Sequence, residues 1–301
     1  QGAQVVLMHD RPVLGGNASK EIRVHTEGLE FYTIVQELST EHYPNGSADA
    51  KLDQKKRDDN VKSYENIDLF LNHRAYDAKA EKSEVQYVDA RHTSTGERIR
   101  FEAPRFVDST GDGWIGYWAG AEFSYGRESV DTYGEEWEEH GELWSPKEAD
   151  NAVMGSSVLW GSKETDSTQT FPEVPWAMPV AREYAKVAGE WQWEFSSPDY
   201  NQIDDAEEIR DHMLRAIYGS FANAKKDPEN SSRKLEWVSS LVGKRESRRL
   251  VGDHIFTFGD AKEGRKFSDG VVIETREVDV HYQTVLEDEK NPDFISEALF
   301  Y

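Results

Sequence analysis

Val5-Val6-Leu7-Met8-His9-Asp10-Arg11-Pro12-Val13-Leu14-Gly15-Gly16-Asn17-Ala18-Ser19 is the stretch on which the reading of the fold turns. Its first four residues are a short apolar run of strand type. The run ends on His9-Asp10-Arg11. An acidic residue at the end of a strand is how dinucleotide-binding folds hold a ribose hydroxyl. Paired glycines let the backbone come close to a ligand, and Asn17 and Ser19 can add side-chain donors. A Gly-Gly pair alone also marks turns that bind nothing, so its weight here comes from the strand and the acid before it.

A second turn of this kind closes Pro104-Arg105-Phe106-Val107-Asp108, which reads as a short strand running into Ser109-Thr110-Gly111-Asp112-Gly113. Asp108, Thr110, Asp112 and Gly113 occupy positions 1, 3, 5 and 6 of a calcium loop, but position 12 is Ala119, where a bidentate Glu is needed. The better reading is a glycine turn whose N–H groups face a phosphate or a ring system, with a purely structural turn as the alternative.

Between these turns, Asn66–His73 reads as a strand, and Val85–Ala90 with Arg98–Phe101 as a hairpin around Thr95-Gly96. The charge cluster Lys51–Asp59 reads as a solvated helix or loop. Composition changes after residue 128. Residues 130–200 read as an irregular, aromatic-lined region with Trp137, Trp144, Trp160, Trp176, Trp191 and Trp193. A helix follows, with Asp204 as N-cap and Glu207 completing a capping-box variant. Its apolar face is Ile209, Met213, Leu214, Ile217, Tyr218 and Phe221. A second helix is expected over Lys234–Leu241.

Gly243-Lys244-Arg245-Glu246-Ser247-Arg248-Arg249-Leu250 is the one dense basic cluster of the chain. It is either a salt-bridged helix turn or a substrate-facing cluster, in which Arg245 and Arg248 would present planar, bidentate donors. In Asp279-Val280-His281-Tyr282 a histidine stands beside an acid, which makes His281 the candidate general base, against the plainer reading of a structural histidine.

The 301 residues carry 35 basic and 58 acidic side chains, a formal net charge of −23. Such a surface opposes extended docking on nucleic acid or on an anionic membrane. No apolar run approaches the roughly 20 residues of a spanning helix. The absence of Cys removes disulfides, thiolate nucleophiles and Cys-ligated metals, and no metal-ligand spacing of His appears. With 12% aromatics and nine Trp, the composition is that of a folded, acidic, globular protein.

Taken together, the run Val5–Glu21, the run Phe106–Gly113 continuing into Gly120-Ala121-Glu122-Phe123, the run Gly243–Gly252 and Asp279-Val280-His281 resemble the FAD-dependent oxidoreductase family common in bacterial carbohydrate-degrading gene neighbourhoods. The resemblance implies an α/β fold: an incomplete Rossmann-like FAD/NAD(P)-binding domain of the glutathione-reductase type with an inserted α+β substrate domain. Residues 1–128 would be the FAD-binding part and residues 129–301 the substrate or cap domain, with a return to the first part near the C-terminus left open. The family's opening strand and Gly-x-Gly-x-x-Gly turn are not in the sequence, nor is the segment that closes over the flavin. We therefore expect a piece of a longer reading frame.

Carried onto this chain, the resemblance places His9 or Asp10 near the adenosine ribose. Arg11, Leu14, Gly15, Gly16, Asn17 and Ala18 would lie along the cofactor, and Ala75 would meet adenine through its backbone. Asp108, Thr110, Gly111 and Asp112 would form the second turn beside the dinucleotide, and Arg245, Arg248 and His281 the substrate side. The expected function is FAD-dependent transfer of a hydride from a small, carbohydrate-related substrate, with the electron acceptor unspecified. The competing class is a carbohydrate-active hydrolase or lyase, or a non-catalytic sugar-binding domain, which would use the same tryptophans and an acid pair.

Overall fold

The computed structural model describes residues 2–28, 33–39, 41, 43–134, 146–272, 279–280, 293–294 and 299–300. The apolar run at the start forms strand β1 (Val5–His9). From its end the chain makes a 3-10 turn at Gly16–Ala18, then helix α1 (Thr33–Leu38) and helix α2 (Ala50–Lys62). It returns as strand β2 (Ile67–Leu71), parallel to β1, with Val5 opposite Ile67 and His9 opposite Leu71. A parallel pair joined through helices is the elementary α/β unit.

The expected charge cluster is α2, and it is not merely solvated. Ala50, Asp53, Gln54 and Arg57 recur at three- and four-residue intervals and form a buried polar face. After β2, Asn72 in the left-handed region (φ 58°) swings the chain into an antiparallel meander of β3 (His73–Glu81), β4 (Glu84–His92) and β5 (Arg98–Glu102). The hairpin around Thr95-Gly96 is present, with Gly96 at φ 76°. Across it Arg100 grips Asp89 with two hydrogen bonds, 2.7 and 2.8 Å. Ala75, Ala78 and Val88 of the meander bury against Ile115 of helix α3 (Trp114–Trp118), with Met8 and Phe106 packed beside them. The stretch 104–108 makes no strand. Its apolar residue Phe106 is used in this core, and Asp108 turns away to serve α3.

The second half is built from short strands around one long helix: β6 (Phe123–Ser124), β7 (Ser156–Ser157), β8 (Trp160–Glu164), helix α4 (Met178–Ala181), β9 (Ala188–Gly189), β10 (Glu194–Phe195) and helix α5 (Ala206–Ala224). Then come β11 (Arg233–Val238), β12 (Arg249–Leu250), helix α6 (Phe258–Lys262), β13 (Asp279–Val280) and β14 (Leu299–Phe300). β8 lies between β11 and β9, while β7 pairs β10, β6 pairs β12 and β13 pairs β14. Ile209, Met213, Ile217 and Phe221 of α5 are fully buried against Trp160, Trp193, Phe195 and Phe294. Trp160 meets Trp193 edge-on at 5.1 Å, and Trp193 stacks on Phe294 at 5.2 Å.

Two local expectations are corrected here. The stretch expected as a helix over Lys234–Leu241 is strand β11, because Arg233, Leu235 and Trp237 alternate inward with Lys234 and Glu236 outward. α5 begins one residue later than expected, at N-cap Asp205, and has no capping box. The turn before it is held instead by Asn201 Oδ1, which accepts from Ile203 N and Asp204 N. Trp137 and Trp144 lie outside the described residues. Among the described residues, no helix is long and apolar enough to cross a membrane.

Two measurements test this packing. A Cβ on Gly219 would stand 2.4 Å from Ala181 Cβ, so α4 and α5 meet through a missing side chain. In Gly219→Ala, overpacking of roughly 1–3 kcal/mol outweighs a helix-propensity gain of about 1 kcal/mol. We expect a net loss of up to roughly 2 kcal/mol, read as a lower urea midpoint at unchanged slope. The second concerns α6. Asp260 accepts from Arg265 (2.8 Å) and from Thr257 N (3.1 Å) and pairs with His254 Nε2 (2.8 Å), and these donors hold its carboxyl well below the usual carboxylate range. A depressed folded-state pKa contributes stability above the unfolded value of about 3.9, and that contribution is lost as pH falls toward the folded value. Asp260→Asn is therefore less stable than the parent at neutral pH. The gap between their melting temperatures should shrink as pH is lowered below about 4.

Candidate functional site

The carboxyl-end edge of β1 carries the first group of candidate residues. His9 Nδ1 stands 3.3 Å from Asp10 Oδ1. That hydrogen bond, aided by the charges of Arg74 and Arg11, holds the Asp10 carboxyl below its ordinary range. Asn72 N donates to Arg11 O at 3.2 Å, so the segment leaving β1 is docked on the corner where Arg74 and Ala75 begin β3. Sequence reasoning named His9, Asp10, Arg11 and Ala75, and the fold brings them to one corner. Arg11 is already committed: its guanidinium grips Glu21 through two hydrogen bonds of 3.0 and 2.7 Å.

The paired glycines are there for different reasons. Gly15 has φ 113°, and a Cβ on it would come within 3.0 Å of Arg57 Nε and 3.3 Å of Ser19 N. Gly16 has φ 54°, and a Cβ on it would meet nothing within 4 Å. Gly15 faces the protein and Gly16 faces open space. α2 grips this turn from behind. Gln54 donates to Leu14 O at 2.9 Å and accepts from Lys20 N at 3.1 Å, and Arg57 donates to Ala18 O at 2.6 Å.

The second turn also divides. Asp108 accepts from Thr110 N (3.0 Å) and Thr110 Oγ1 (2.7 Å), and from Ile115 N (2.8 Å) and Gly116 N (3.1 Å). Thr110 Oγ1 accepts from Trp114 N at 3.0 Å. Asp108 and Thr110 thus close the start of α3 themselves, which is a capping task. Gly111, at φ 84° with nothing within 4 Å of a Cβ, is the open position. Among the described residues, the N–H groups of Gly16, Asn17 and Gly111 meet no acceptor. Bare N–H groups on glycines that leave room for a close approach suit an anionic or flat, polar ligand.

Asp112 joins the two turns. It is 6% exposed, and its carboxylate accepts from Lys244 Nζ at 2.9 and 3.2 Å and from Ser247 Oγ at 2.8 Å. Lys244 Nζ donates also to Gln202 O at 2.9 Å, while its own carbonyl accepts from Asn17 Nδ2 at 2.7 Å. Lys244 therefore holds the first turn with its backbone and the second with its ammonium. It lies in the basic cluster, but nothing in the sequence set it above the arginines on either side.

Those arginines are spent in the structure. Arg245 pairs with the fully buried Glu194 (3.5 Å) and with Asp279 of β13 (3.3 Å). The Arg248 guanidinium lies 4.1 Å from the Tyr117 ring and 4.3 Å from the Trp114 ring. Glu246 takes Met154 N at 2.9 Å and Arg249 at 2.6 Å. The segment is salt-bridged, as one reading of the cluster had it, but it is extended and irregular, and its end forms β12 rather than a helix turn. His281 lies outside the described residues. Gln54 and Arg57 were missed because α2 carries no apolar stripe. The signal that marks them is polar: the spacing of Asp53, Gln54 and Arg57 on one helix face.

No match was found among curated proteins or among solved structures. The family model described as FAD dependent oxidoreductase matches residues 1–298, nearly the whole chain. With a parallel pair ending in an acid, and two open glycine turns tied together, the chain belongs to the FAD-dependent oxidoreductase family, enzymes of a dinucleotide-binding α/β fold that use bound FAD for redox chemistry.

Proposed function

We propose that FAD lies along the line from Asp10 to Lys244, with the adenosine end at the β1 corner and Gly16, Asn17 and Gly111 beneath the rest. One observation carries this reading: Lys244 binds Asn17 and Asp112 at once, so the two open turns form a single surface. Gly16 and Gly111 leave the room, and the uncommitted N–H groups supply the donors, that such a group requires. Asp112 would meet the cofactor through the turn it stabilises, while Asp108 and Thr110 hold that turn in shape. When bound, FAD supplies the hydride-accepting ring.

The chain's own residues would orient the substrate and move its proton. His281 is the proposed base for a substrate hydroxyl, and Arg245 and Arg248, held by Glu194, Asp279 and the Trp114 and Tyr117 rings, are proposed to shape the substrate side rather than to pair with the substrate as free cations. The division into a cofactor part, residues 1–128, and an inserted substrate part, residues 129–301, is likewise part of the proposal. It is supported by the change from the β1–β2 and meander core to the aromatic core around α5.

For the substrate we propose a small, polyhydroxylated molecule. Trp160 and Trp193 lend this no support, since they are core residues at 2% and 1% exposure. Support comes from Trp176, which is 54% exposed, leans on Tyr218 and lines a cleft with Asp211 and Arg215. No observation favours glycoside cleavage, and the family match sets that alternative aside.

Two experiments test the proposal. The full natural protein, desalted, should carry the visible spectrum of oxidised flavin or acquire it with added FAD, and bleach anaerobically with an oxidisable polyol. A colourless protein that refuses FAD defeats the reading. Lys244→Met removes an ammonium from a partly buried, charge-assisted pair worth roughly 1.5–3 kcal/mol. We expect FAD affinity to fall about ten- to hundredfold by flavin-fluorescence titration, with partial recovery in Lys244→Arg.

A further inference from the structure

We infer that Arg57 is a positioning residue for FAD: it fixes the Ala18 carbonyl and keeps a positive charge behind the turn that receives the cofactor. The inference rests on the reading that Gly16 and Asn17 face FAD. Arg57 projects from α2, a helix whose opposite face is open to solvent, yet its side chain turns inward and the residue is only 5% exposed. One of its N–H groups reaches Ala18 O at 2.6 Å. Its Nε and a second terminal nitrogen are shut off from solvent with no hydrogen-bond partner.

A buried guanidinium is costly; Asp53 and Tyr43, which share its space, offset part of that cost, and among the described residues the Ala18 carbonyl is the acceptor it reaches at hydrogen-bond distance. Gly15 makes the room for it, since a Cβ there would press on Arg57 Nε at 3.0 Å. The groups around it are few. Asp53, fully buried on the same face of α2, and Tyr43, 2% exposed, share the space. The Tyr43 hydroxyl is pushed up by burial first and then feels both Asp53 and Arg57. Lys56, the neighbouring cation on α2, is turned elsewhere, to Ser39 O at 2.6 Å.

Two consequences follow for the turn. With Gln54 holding Leu14 O and Lys20 N, and Arg57 holding Ala18 O, the backbone from 14 to 20 is fixed from behind, so Gly16 and Asn17 present their N–H groups without having to be ordered by the ligand. The Arg57 charge also offsets that of the buried Asp53, so that negative charge added nearby, which reduction places on a flavin, does not meet a bare carboxylate.

The test uses the full natural protein loaded with FAD, with Arg57→Met and Arg57→Lys beside the parent. FAD affinity is read by fluorescence quenching, and the reduction potential of the bound flavin by equilibration with reference dyes. We expect Arg57→Met to bind FAD at least tenfold more weakly and to hold it at a lower potential. Arg57→Lys, which keeps the charge but loses the planar fork, should recover the potential and not the affinity. A residue that served folding alone would lower the melting temperature and leave the potential of bound flavin where it was. The inference is overturned if both variants bind FAD within twofold of the parent at an unchanged potential. Should Arg57→Met fail to fold, the affinity of Arg57→Lys decides, a tenfold loss supporting the inference and a value within twofold overturning it. A parent that takes up no FAD defeats the cofactor reading itself, which is a different outcome from a parent that binds FAD and variants that match it.

Discussion

The pairing of Lys244 with Asp112 is the constraint on which the rest of this site depends. A partly buried ammonium needs acceptors for its three N–H bonds, and a buried carboxylate needs donors. Here each completes the other, with Gln202 O and Ser247 Oγ filling the remaining positions. Because the Lys244 carbonyl also receives Asn17, the demand for satisfied charges sets the spacing between two loops that belong to different parts of the sequence. The glycines could adopt their positive φ values without it. They could not be held as one surface.

Much of this was legible in the residues. The apolar run ending on Asp10, the paired glycines and the second glycine turn have local causes, strand propensity and the freedom of glycine, and both appear where expected. The long helix was legible because Ile209, Met213, Ile217 and Phe221 repeat with helical period and bury together. Fine detail failed where a distant contact outweighs local preference. Residues 233–238 carry good helix formers, yet β8 offers a sheet edge, and their in-out alternation follows it. Asp108 and Thr110 look like ligand contacts, yet the uncapped start of α3 claims them first. The roles of Lys244, Gln54 and Arg57 were hidden for a simpler reason. Their partners are backbone carbonyls or far-off acids, and neither leaves a pattern in the sequence near them.

The glycines of the two turns also show how differently one residue type can be used. Gly15 yields its side-chain volume to a neighbouring arginine, whereas Gly16 and Gly111 yield theirs to open space. Only the second use points to a ligand. A motif read as glycine-rich therefore mixes packing with binding, and the would-be Cβ environment separates the two.

The cationic side chains near the site share a further property. Arg11 is given to Glu21, Arg57 to Ala18, Lys244 to Asp112, Arg245 to Glu194 and Asp279, and Arg248 to a pair of aromatic rings. Arg11, Lys244 and Arg245 are thus offset by carboxylates within the fold, and in a chain of net charge −23 the field sensed at a distance is dominated by its acids. Diffusional encounter is steered accordingly. By charge alone, a neutral or cationic molecule approaches such a surface unhindered, while an anionic one is slowed at low ionic strength and recovers as salt shortens the reach of the repulsion.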